Sequence, residues 1–438
     1  MVECSSLMPT PPAGWSDLSA ALQPTVRSAL EDSILPFWWR TVDRERGGIL
    51  NCWNNAGTER VRRDKFTWSQ GRFAWLWSRL AEVSARGLLP EGDAAAFTAQ
   101  AEKTIAFLEA HAFLSDGRCA FLLTEDGRVQ EAVPGAGPAP SIYADCFVTM
   151  GLAEFARVTK DPARLDAAWR LLESIETRIA AGGFPTHPDP IPDGYHSHAI
   201  TMIHLNVTLV LHAACVDLAD TRADLARTRS TAAAARIFEV FMRPAGRLVE
   251  LWPKSEADHD TVLARHINPG HALEGLWMLM GVAIREGRAD WLARAAEAAE
   301  FAFVRGWDEE FGGLLHYVDY AGGPPKGRPG ESRYEHSVNS SGSTKLWWVH
   351  SEAIYTALLW FRLTGNPAAR RWFERVFEYA FRVFPQPDPA IGEWIQIRDR
   401  AGQPLERVVA LPVKDPYHIA RNLIQVLELF SPCQPTQP

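Results

Sequence analysis

Apolar residues recur every three or four positions over long stretches of the chain, and short breaks rich in Gly and Pro separate these stretches. This period is typical of amphipathic helices, and we count about twelve of them. Strand-like segments are short and lie between the helices. The predicted helices span residues 15–43, 67–86, 93–112, 141–158, 162–180, 196–219, 222–242, 269–286, 288–305, 345–364, 367–383 and 415–431.

Short breaks at residues 160–162, 286–288 and 364–367 join some of these helices into pairs. A Pro after a polar turn residue marks the start of the second helix in such a pair. The spacing predicts six helical hairpins in sequence, which in a closed ring bury one layer of helices inside another. We therefore expect an all-α fold, an (α/α)6 barrel forming one domain over residues 1–438, with residues 1–14 flexible. A linear helical solenoid is the alternative, although its repeats would be more uniform in length.

Three loops between the predicted helices carry strand-like segments. In residues 117–130, Asp126-Gly127 lies between two apolar runs, which is a strong local signal of a β-hairpin. Residues 312–320 and 393–400 have the same character. We expect short β-hairpins in these connecting loops, which would line a cavity together with the helix ends.

The composition is that of a globular protein with a large core, because 47% of the 438 residues are hydrophobic and 22% are charged. The formal net charge of −8 argues against nucleic acid and anionic membranes as partners. No segment resembles a signal peptide or a membrane-spanning helix, so we expect a cytoplasmic protein. The six cysteines lack any C-x-x-C spacing and fit reduced thiols. They are Cys4, Cys52, Cys119, Cys146, Cys215 and Cys433.

The most specific candidate for chemistry is PGHALEGLW at residues 269–277. Pro-Gly before a helical pattern places His271 at a helix N-terminus, where the helix dipole lowers the pKa of the imidazole. The neutral form can abstract a proton. Glu274 lies on the same face and would hold the ring. A helix-capping His with an acidic first-turn residue is the structural alternative.

A second histidine lies at a matching position in KDPYHIAR, residues 414–421. Asp415-Pro416 is typical of a helix start, so His418 lies in the first turn and Arg421 follows on the same face. Two histidines at matching positions of different helices indicate a pair that faces one cavity. Satisfied histidines of the core or surface are the alternative.

One stripe of the helix predicted at residues 67–86 combines indoles and guanidinium groups. A guanidinium between indoles can clamp an oxygen-rich ligand and stabilise a developing oxyanion. Aromatic core packing with an arginine that extends to the surface is the alternative. The stripe consists of Trp68, Arg72, Trp75 and Arg79.

Further candidates lie in KLWWVHSE, residues 345–352, which contains Trp348, His350 and Glu352. His350 and Glu352 are two residues apart and cannot share a helical face, so at least one of them is structural. Trp394 either shapes the pocket or packs in the core.

Four histidines between residues 187 and 204 raise the possibility of a metal site. No two of them have the i, i+4 spacing of a helical zinc motif and carboxylates are sparse, so we expect no metal. We retain His204 as a pocket residue, because its helical run would point polar groups inward.

Four motifs resemble, in order, those of the N-acylglucosamine 2-epimerase family: PGHALEGLW at 269–277, KLWWVHSEA at 345–353, EW followed by DRAG at 393–402, and KDPYHIAR at 414–421. The resemblance spans about residues 35 to 430. It implies an (α/α)6 barrel, sugar chemistry without a metal, and catalytic histidines at His271 and His418.

The same resemblance implies substrate binding by Arg72, Glu274 and Glu352, and WSQGR at residues 68–72 looks most like the acylglucosamine epimerase and renin-binding branch. Ala420 replaces the proline common in the family's last motif, which leaves the particular sugar open. Some family members are activated by nucleotide, but GGPPKG at residues 322–327 is no P-loop, so we expect no cofactor. Dimers are common in the family, and the sequence leaves the oligomeric state open.

We therefore predict a 2-epimerase of a reducing sugar, with N-acetyl-D-glucosamine and N-acetyl-D-mannosamine as the first choice. Two bases would remove and return the C2 proton, and Arg72 would stabilise the enediolate between the two steps. An aldose-ketose isomerase or a 2-epimerase of mannose, glucose and fructose is the alternative. A glycoside hydrolase of the same fold is the alternative of another class, and a non-catalytic binding protein is a third. The hydrolase would use two of Asp145, Glu274, Glu352 and Glu393.

Overall fold

The fold is described from a computed structural model covering residues 8–431. Cys4, Cys433 and the first half of the segment predicted to be flexible lie outside the described residues. In the second half of that segment, the Pro9 carbonyl accepts a hydrogen bond of 2.6 Å from Arg362. The four other cysteines are buried with free thiols, as predicted.

Helices dominate the described part of the chain, and the long ones lie close to their predicted positions. Two π-helical segments extend them: Ala29–Ile34 connects α1 to α2, and Ile237–Phe241 continues α8. The helices are α1 (Trp15–Ser28), α2 (Leu35–Arg40), α3 (Thr67–Ala85), α4 (Ala94–His111), α5 (Ile142–Thr159), α6 (Pro162–Ala181), α7 (His198–Asp217), α8 (Ala223–Arg236), α9 (Val262–Arg265), α10 (Pro269–Arg285), α11 (Ala289–Gly306), α12 (Arg333–Ser341), α13 (Trp347–Thr364), α14 (Pro367–Val383) and α15 (Tyr417–Phe430).

Six helices form a closed inner ring in the order α3, α5, α7, α10, α13 and α15, with α15 packed against α3. Five outer helices, α4, α6, α8, α11 and α14, each follow an inner helix in the chain and pack against it. This arrangement confirms the predicted (α/α)6 barrel. It buries the apolar inner helices on all sides, which explains why α7 is long and apolar enough to cross a membrane while 78% of its apolar window is buried.

The sixth helix pair differs from the predicted series of six consecutive hairpins. Its inner helix is α15 and its outer helix is α1, from the other end of the described chain. Trp15 of α1 packs against Phe430 of α15 with ring centroids 5.6 Å apart. Because α1 precedes the first inner helix, a ring with two complete layers requires the two chain ends to pair.

Eleven short strands lie among the described residues, and four of them, β1, β4, β8 and β10, end just before an inner helix. The inner helices therefore begin at one end of the barrel, where extended segments are paired with loops. The strands are β1 (Lys65–Phe66), β2 (Leu122–Leu123), β3 (Val129–Gln130), β4 (Tyr195–Ser197), β5 (Met242–Arg243), β6 (Arg247–Leu248), β7 (Leu251–Pro253), β8 (His266–Ile267), β9 (Val318–Asp319), β10 (Lys345–Leu346) and β11 (Ile397–Arg398).

Two of the three predicted β-hairpins form locally. Strands β2 and β3 pair around Asp126-Gly127, as predicted. Around Ala401-Gly402, Arg398 forms an antiparallel bridge with Pro404, and β11 also pairs with β10. Strand β9, within residues 312–320, pairs with β8 and forms no local hairpin. These loops satisfy the backbone groups of the extended residues ahead of α10 and α13, which a local hairpin alone would leave unpaired.

Helix α12 was not predicted, although its N-terminus carries a recognisable signal. Residues 332–335 read Ser-Arg-Tyr-Glu, the spacing of a capping box. The Ser332 hydroxyl accepts a hydrogen bond of 3.1 Å from the backbone N–H of Glu335. The helix is short and mostly polar, so its period of apolar residues is weak.

Candidate active site

The predicted catalytic residues lie at the end of the barrel where the inner helices begin. Asn268 caps α10, since its side-chain oxygen accepts a hydrogen bond of 3.1 Å from the backbone N–H of His271. His418 lies in the first turn of α15, and Trp348 in the first turn of α13. The ring closure thus brings together residues that are far apart in the sequence.

Trp348 contacts both histidines. Its ring centroid lies 5.2 Å from that of His271 and 5.6 Å from that of His418. The two imidazoles, carried by α10 and α15, therefore lie against one indole. The structure thus brings together three of the residues that the sequence singled out.

The hydrogen bonds of His418 define its tautomer. Its Nδ1 lies 2.7 Å from a Glu352 carboxylate oxygen, and its Nε2 lies 3.3 Å from an Arg72 nitrogen. Because a guanidinium can only donate, Nε2 must be the acceptor and Nδ1 must carry the proton. Burial, together with the charges of Arg72 and Arg421, outweighs nearby Glu274 and lowers the pKa of His418 to about 3. His418 is a neutral imidazole, and its Nε2 lone pair is directed at the Arg72 guanidinium.

His271 has the opposite electrostatic environment. Its Nδ1 lies 3.0 Å from a carboxylate oxygen of Glu250, which is 2% exposed. Burial opposes the imidazolium form, but the Glu250 carboxylate outweighs it and raises the pKa of His271. The expectation that the helix dipole lowers this pKa was therefore wrong, because a buried carboxylate in direct contact is stronger than the dipole.

Glu274 has a different partner from the one predicted. It accepts a hydrogen bond of 2.7 Å from Arg421, and its nearest oxygen lies 3.8 Å from Nδ1 of His418. Arg421 also pairs with Glu352 and is only 2% exposed. This buried cation therefore holds both carboxylates in place. Two further side chains donate to Glu352. They are Asn422 at 2.8 Å and Trp277 at 2.9 Å.

Arg72 is held in place by charge and by aromatic faces. Its guanidinium donates to Asp415 at 3.0 Å and lies 5.1 Å from the ring centroid of Trp68. The rings of Phe147 and Tyr417, at 4.1 and 5.0 Å, complete an aromatic cage. The sequence predicted a guanidinium between indoles, and the structure places it against one indole, Trp68, with Phe147 and Tyr417 as the other rings.

The other half of the predicted stripe is structural. Arg79 forms ion pairs with Glu82 and Glu428, which lie near the C-terminal ends of α3 and α15, away from the two histidines. Trp75 packs edge-on against Tyr417, with the ring centroids 5.3 Å apart. The stripe therefore runs from the cavity into the interior of the barrel.

The structure does not bring His204 or Trp394 to this cluster. His204 is hydrogen bonded at 2.9 Å to Glu176 of the outer helix α6, so its side chain faces the outer layer of the barrel. Trp394 is 2% exposed and stacks on Phe384, which corresponds to the core-packing interpretation. His350 is also structural, since its Nε2 accepts the backbone N–H of Leu314.

Sequence reasoning missed Glu250 and gave Asp415 only the role of starting a helix. Glu250 is the single charged residue in the apolar run from Leu248 to Trp252, which is the signal that could have revealed it. A carboxylate buried in such a run must find a cationic or donating partner. That partner, His271, follows 21 residues later.

One group of three side chains in the described residues has the donor types of a metal site. Glu274, Glu352 and His418 offer ligand atoms that lie within 4.8 Å of one another. Arg421 donates to both carboxylates. A guanidinium thus already occupies the position of positive charge between them, and it would repel a divalent cation.

Comparison with known proteins agrees with this geometry. Residues 47–421 match the family described as N-acylglucosamine 2-epimerase (GlcNAc 2-epimerase). The N-acylglucosamine 2-epimerase of Bos taurus is 31% identical over 407 residues, which cover 91% of this chain and 89% of that protein.

Two solved structures share the fold. A cellobiose 2-epimerase from Bacillus thermoamylovorans has a TM-score of 0.73 at 19% identity and covers 93% of this chain and 99% of its own. A D-mannose isomerase has a TM-score of 0.70 at 16% identity, with 95% of this chain and 99% of its own covered. At such identities, the similarity shows the fold alone.

Proposed function

The chain belongs to the N-acylglucosamine 2-epimerase family, and we propose that it is a sugar 2-epimerase, an isomerase that interconverts N-acetyl-D-glucosamine and N-acetyl-D-mannosamine. One observation carries the proposal at the level of chemistry. His418 and His271 lie against the same indole, one as a neutral base and the other with its pKa raised by a carboxylate.

In the first step, Nε2 of His418 removes the C2 proton of the open-chain sugar. The electrons of the C–H bond form a C1–C2 double bond while the π electrons of the carbonyl move onto its oxygen, which gives an enolate that carries the acetamido group at C2. Arg72, whose Nη2 lies 3.3 Å from this Nε2, is placed to donate to the new oxyanion. Because Asp415 and the aromatic rings hold the guanidinium, only the N–H that now points at Nε2 has to turn to the oxyanion as the charge develops.

In the second step, protonated His271 returns a proton to the opposite face of C2. Its Nδ1 is bound to Glu250, which leaves Nε2–H as the donor. The electrons of the C1–C2 double bond form the new C2–H bond while the oxyanion re-forms the carbonyl, so substrate and product have the same mass. In the reverse direction, the two histidines exchange roles. These steps use only groups of the protein, and we propose that they proceed without a metal.

The carboxylates disfavour the hydrolase alternative. A glycoside hydrolase needs two carboxyl groups that flank open space around a glycosidic bond. Glu274 and Glu352 instead share Arg421, Asp145 is paired with Arg178, and Glu393 is buried against Lys414. Among residues 8–431, each carboxylate considered for hydrolysis is thus held by a cation.

An aldose-ketose isomerase is the second candidate, because a D-mannose isomerase shares the fold. With a 2-hydroxy sugar such as mannose, the intermediate is an enediolate, and protonation at C1 with loss of the C2 hydroxyl proton gives a ketose. The site chemistry is common to both reactions, and the product distinguishes them.

Proton NMR in deuterated water tests the proposal directly. We expect N-acetyl-D-mannosamine to yield N-acetyl-D-glucosamine with deuterium at C2. A ketose from mannose would identify the isomerase. No exchange with either N-acetyl sugar, nor with mannose, glucose or cellobiose, would contradict a sugar 2-epimerase.

Single-histidine variants test the division of labour. His271→Ala and His418→Ala should each reduce epimerisation by about a hundredfold to ten-thousandfold. Each variant keeps one base, so each should still exchange the C2 proton of one epimer without inverting it. His259→Ala is the matched control, since His259 pairs with the exposed Glu256 in a loop. Full epimerisation by either active-site variant would rule out the two-base scheme.

A further inference from the structure

A third histidine adjoins the same indole and has no part in the proposed reaction. His316 lies in the loop before β9 and is 4% exposed. Its ring stacks on Tyr317, with centroids 3.9 Å apart, and meets Trp348 edge to face at 6.1 Å. Trp348 thus contacts His271, His418 and His316, which places the third imidazole at the border of the reaction site.

The contacts of His316 determine which ring nitrogen carries the proton. The Ser341 hydroxyl donates to the Ser337 carbonyl at 2.7 Å, so its oxygen is free to accept. Nδ1 of His316 lies 3.1 Å from that oxygen and therefore donates to it. In the neutral ring, Nε2 then has no proton and can only accept.

Nε2 of His316 makes no hydrogen bond to any residue within 8–431, and it retains contact with solvent. Burial, followed by the positive charge of His271, lowers the pKa of His316 to about 3. The ring thus remains neutral at physiological pH. A neutral acceptor without a partner, against the indole that both active-site histidines contact, has the properties of a group that awaits a donor from the ligand.

We propose that His316 is a specificity-determining residue whose Nε2 accepts a hydrogen bond from an O–H or N–H group of the bound sugar. This inference rests on the proposed function and adds a criterion for which sugars bind well. A buried acceptor left unpaired is unfavourable, so a sugar without a donor at that position binds less well. Ser341, on α12, acts as the positioning residue that fixes the acceptor tautomer.

Two substitutions separate recognition from packing. His316→Phe keeps an aromatic ring against Tyr317 and Trp348 but removes the acceptor. His316→Gln shortens the ring contact but offers an amide oxygen near the position of Nε2. We expect His316→Phe to raise KM for N-acetyl-D-mannosamine by about fivefold to tenfold with little change in kcat, the effect of one hydrogen bond. His316→Gln should remain closer to the wild type.

Ser341→Ala provides an independent check. It leaves the His316 ring in place but removes the oxygen that holds the proton on Nδ1, so either ring nitrogen can carry it. It should raise KM in the same direction by a smaller factor. His259→Phe is the matched control and should leave KM unchanged. Thermal unfolding of each variant shows whether the fold is intact.

An equal rise in KM for His316→Phe and His316→Gln would indicate a packing role and overturn the proposal, as would unchanged KM in His316→Phe. Calorimetric binding of N-acetyl-D-mannosamine to the same variants gives the matching readout without turnover. Failure of the proposed function would appear differently, as a wild-type enzyme that converts none of the sugars.

Discussion

The two active-site histidines differ because their carboxylate partners differ in what else they bind. Glu250 has one further side chain near its carboxylate, His198 at 3.7 Å, while the contact to His271 is shorter at 3.0 Å. Glu352 binds His418 but also accepts hydrogen bonds from three other side chains, one of which is cationic. These donors are Arg421, Asn422 and Trp277. One carboxylate therefore favours an imidazolium, while the other only orients a neutral ring.

Glu250→Gln should lower the pKa of His271, because it removes the charge that outweighs burial. In the wild type that pKa lies above the ordinary value of 6.5, so kcat/KM should fall at high pH as His271 loses its proton. In the variant this fall should shift to lower pH. The measurement is kcat/KM against pH in both reaction directions.

The two directions provide an internal control for this profile. Their kcat/KM ratio is fixed by the equilibrium constant, so both must show the same pH dependence. An alkaline limb that does not move in Glu250→Gln would contradict the assignment of His271 as the acid.

Arg421→Gln should have a different effect, on the acidic side of the profile. Without Arg421, the charge of Glu352 acts on His418 and raises its pKa from about 3. The acidic limb of kcat/KM should therefore move to higher pH. The substitution leaves buried carboxylates unpaired and should destabilise the fold by about 3 kcal/mol. An unchanged acidic limb in a folded variant would count against this role.

The site was predictable from sequence where its residues begin a helix. His271 and His418 follow strong start signals, and their matching positions on two inner helices place them at one end. Glu250 was not predictable in this way, because a non-local strand pairing brings it to His271. His204 was assigned to the pocket wrongly by its helical position, since period alone does not distinguish the inner face of α7 from the side that meets α6.

At the scale of elements, the backbone at the start of each inner helix determines where the side chains of the site lie. Strands β1, β4, β8 and β10 fix the backbone directly before α3, α7, α10 and α13. The helices were predictable because their period is local. The strand partners were not, because strands of two or three residues are too short to specify a distant register.

Asn268→Ala should reduce both stability and activity, because the cap that it removes binds the backbone of His271. We expect a loss of about 1 kcal/mol in the free energy of unfolding, together with a lower kcat. Chemical denaturation and steady-state kinetics are the measurements.

The matched control is Asn366→Ala, which removes an equivalent cap from the outer helix α14. It should cause a similar loss of stability with an unchanged kcat. An equal loss of kcat in both variants would mean that the cap of α10 has no particular role in placing His271.

At the scale of the whole molecule, the end of the barrel opposite the site is joined by an ion-pair network. It connects the C-terminal turns of α3, α5, α7 and α15 and is largely screened from solvent. Its members are Arg79, Glu82, Glu154, Arg157, Asp217 and Glu428. Networks of this kind are costly to break, since each loss leaves a buried charge unpaired.

Glu82→Gln should destabilise the barrel by about 2 kcal/mol at neutral pH while leaving kcat unchanged. Burial opposes ionisation, but Arg79 and Arg157 lower the pKa of Glu82 to about 2. A carboxyl with a lowered pKa contributes stability above its unfolded value of 4.5 and loses that contribution as pH falls towards 2. The difference between wild type and variant should therefore shrink over this range in urea titrations. A difference that is constant with pH would contradict the assignment.

The pairing of α1 with α15 also orders events during synthesis. Until residue 417 has left the ribosome, α1 lacks its partner and the inner ring has a gap between α13 and α3. The same missing helix carries His418 and Arg421. A chain that ends before this helix therefore lacks both the closed inner ring and one of the two catalytic histidines. A truncated product of this kind would be inactive as well as incompletely folded.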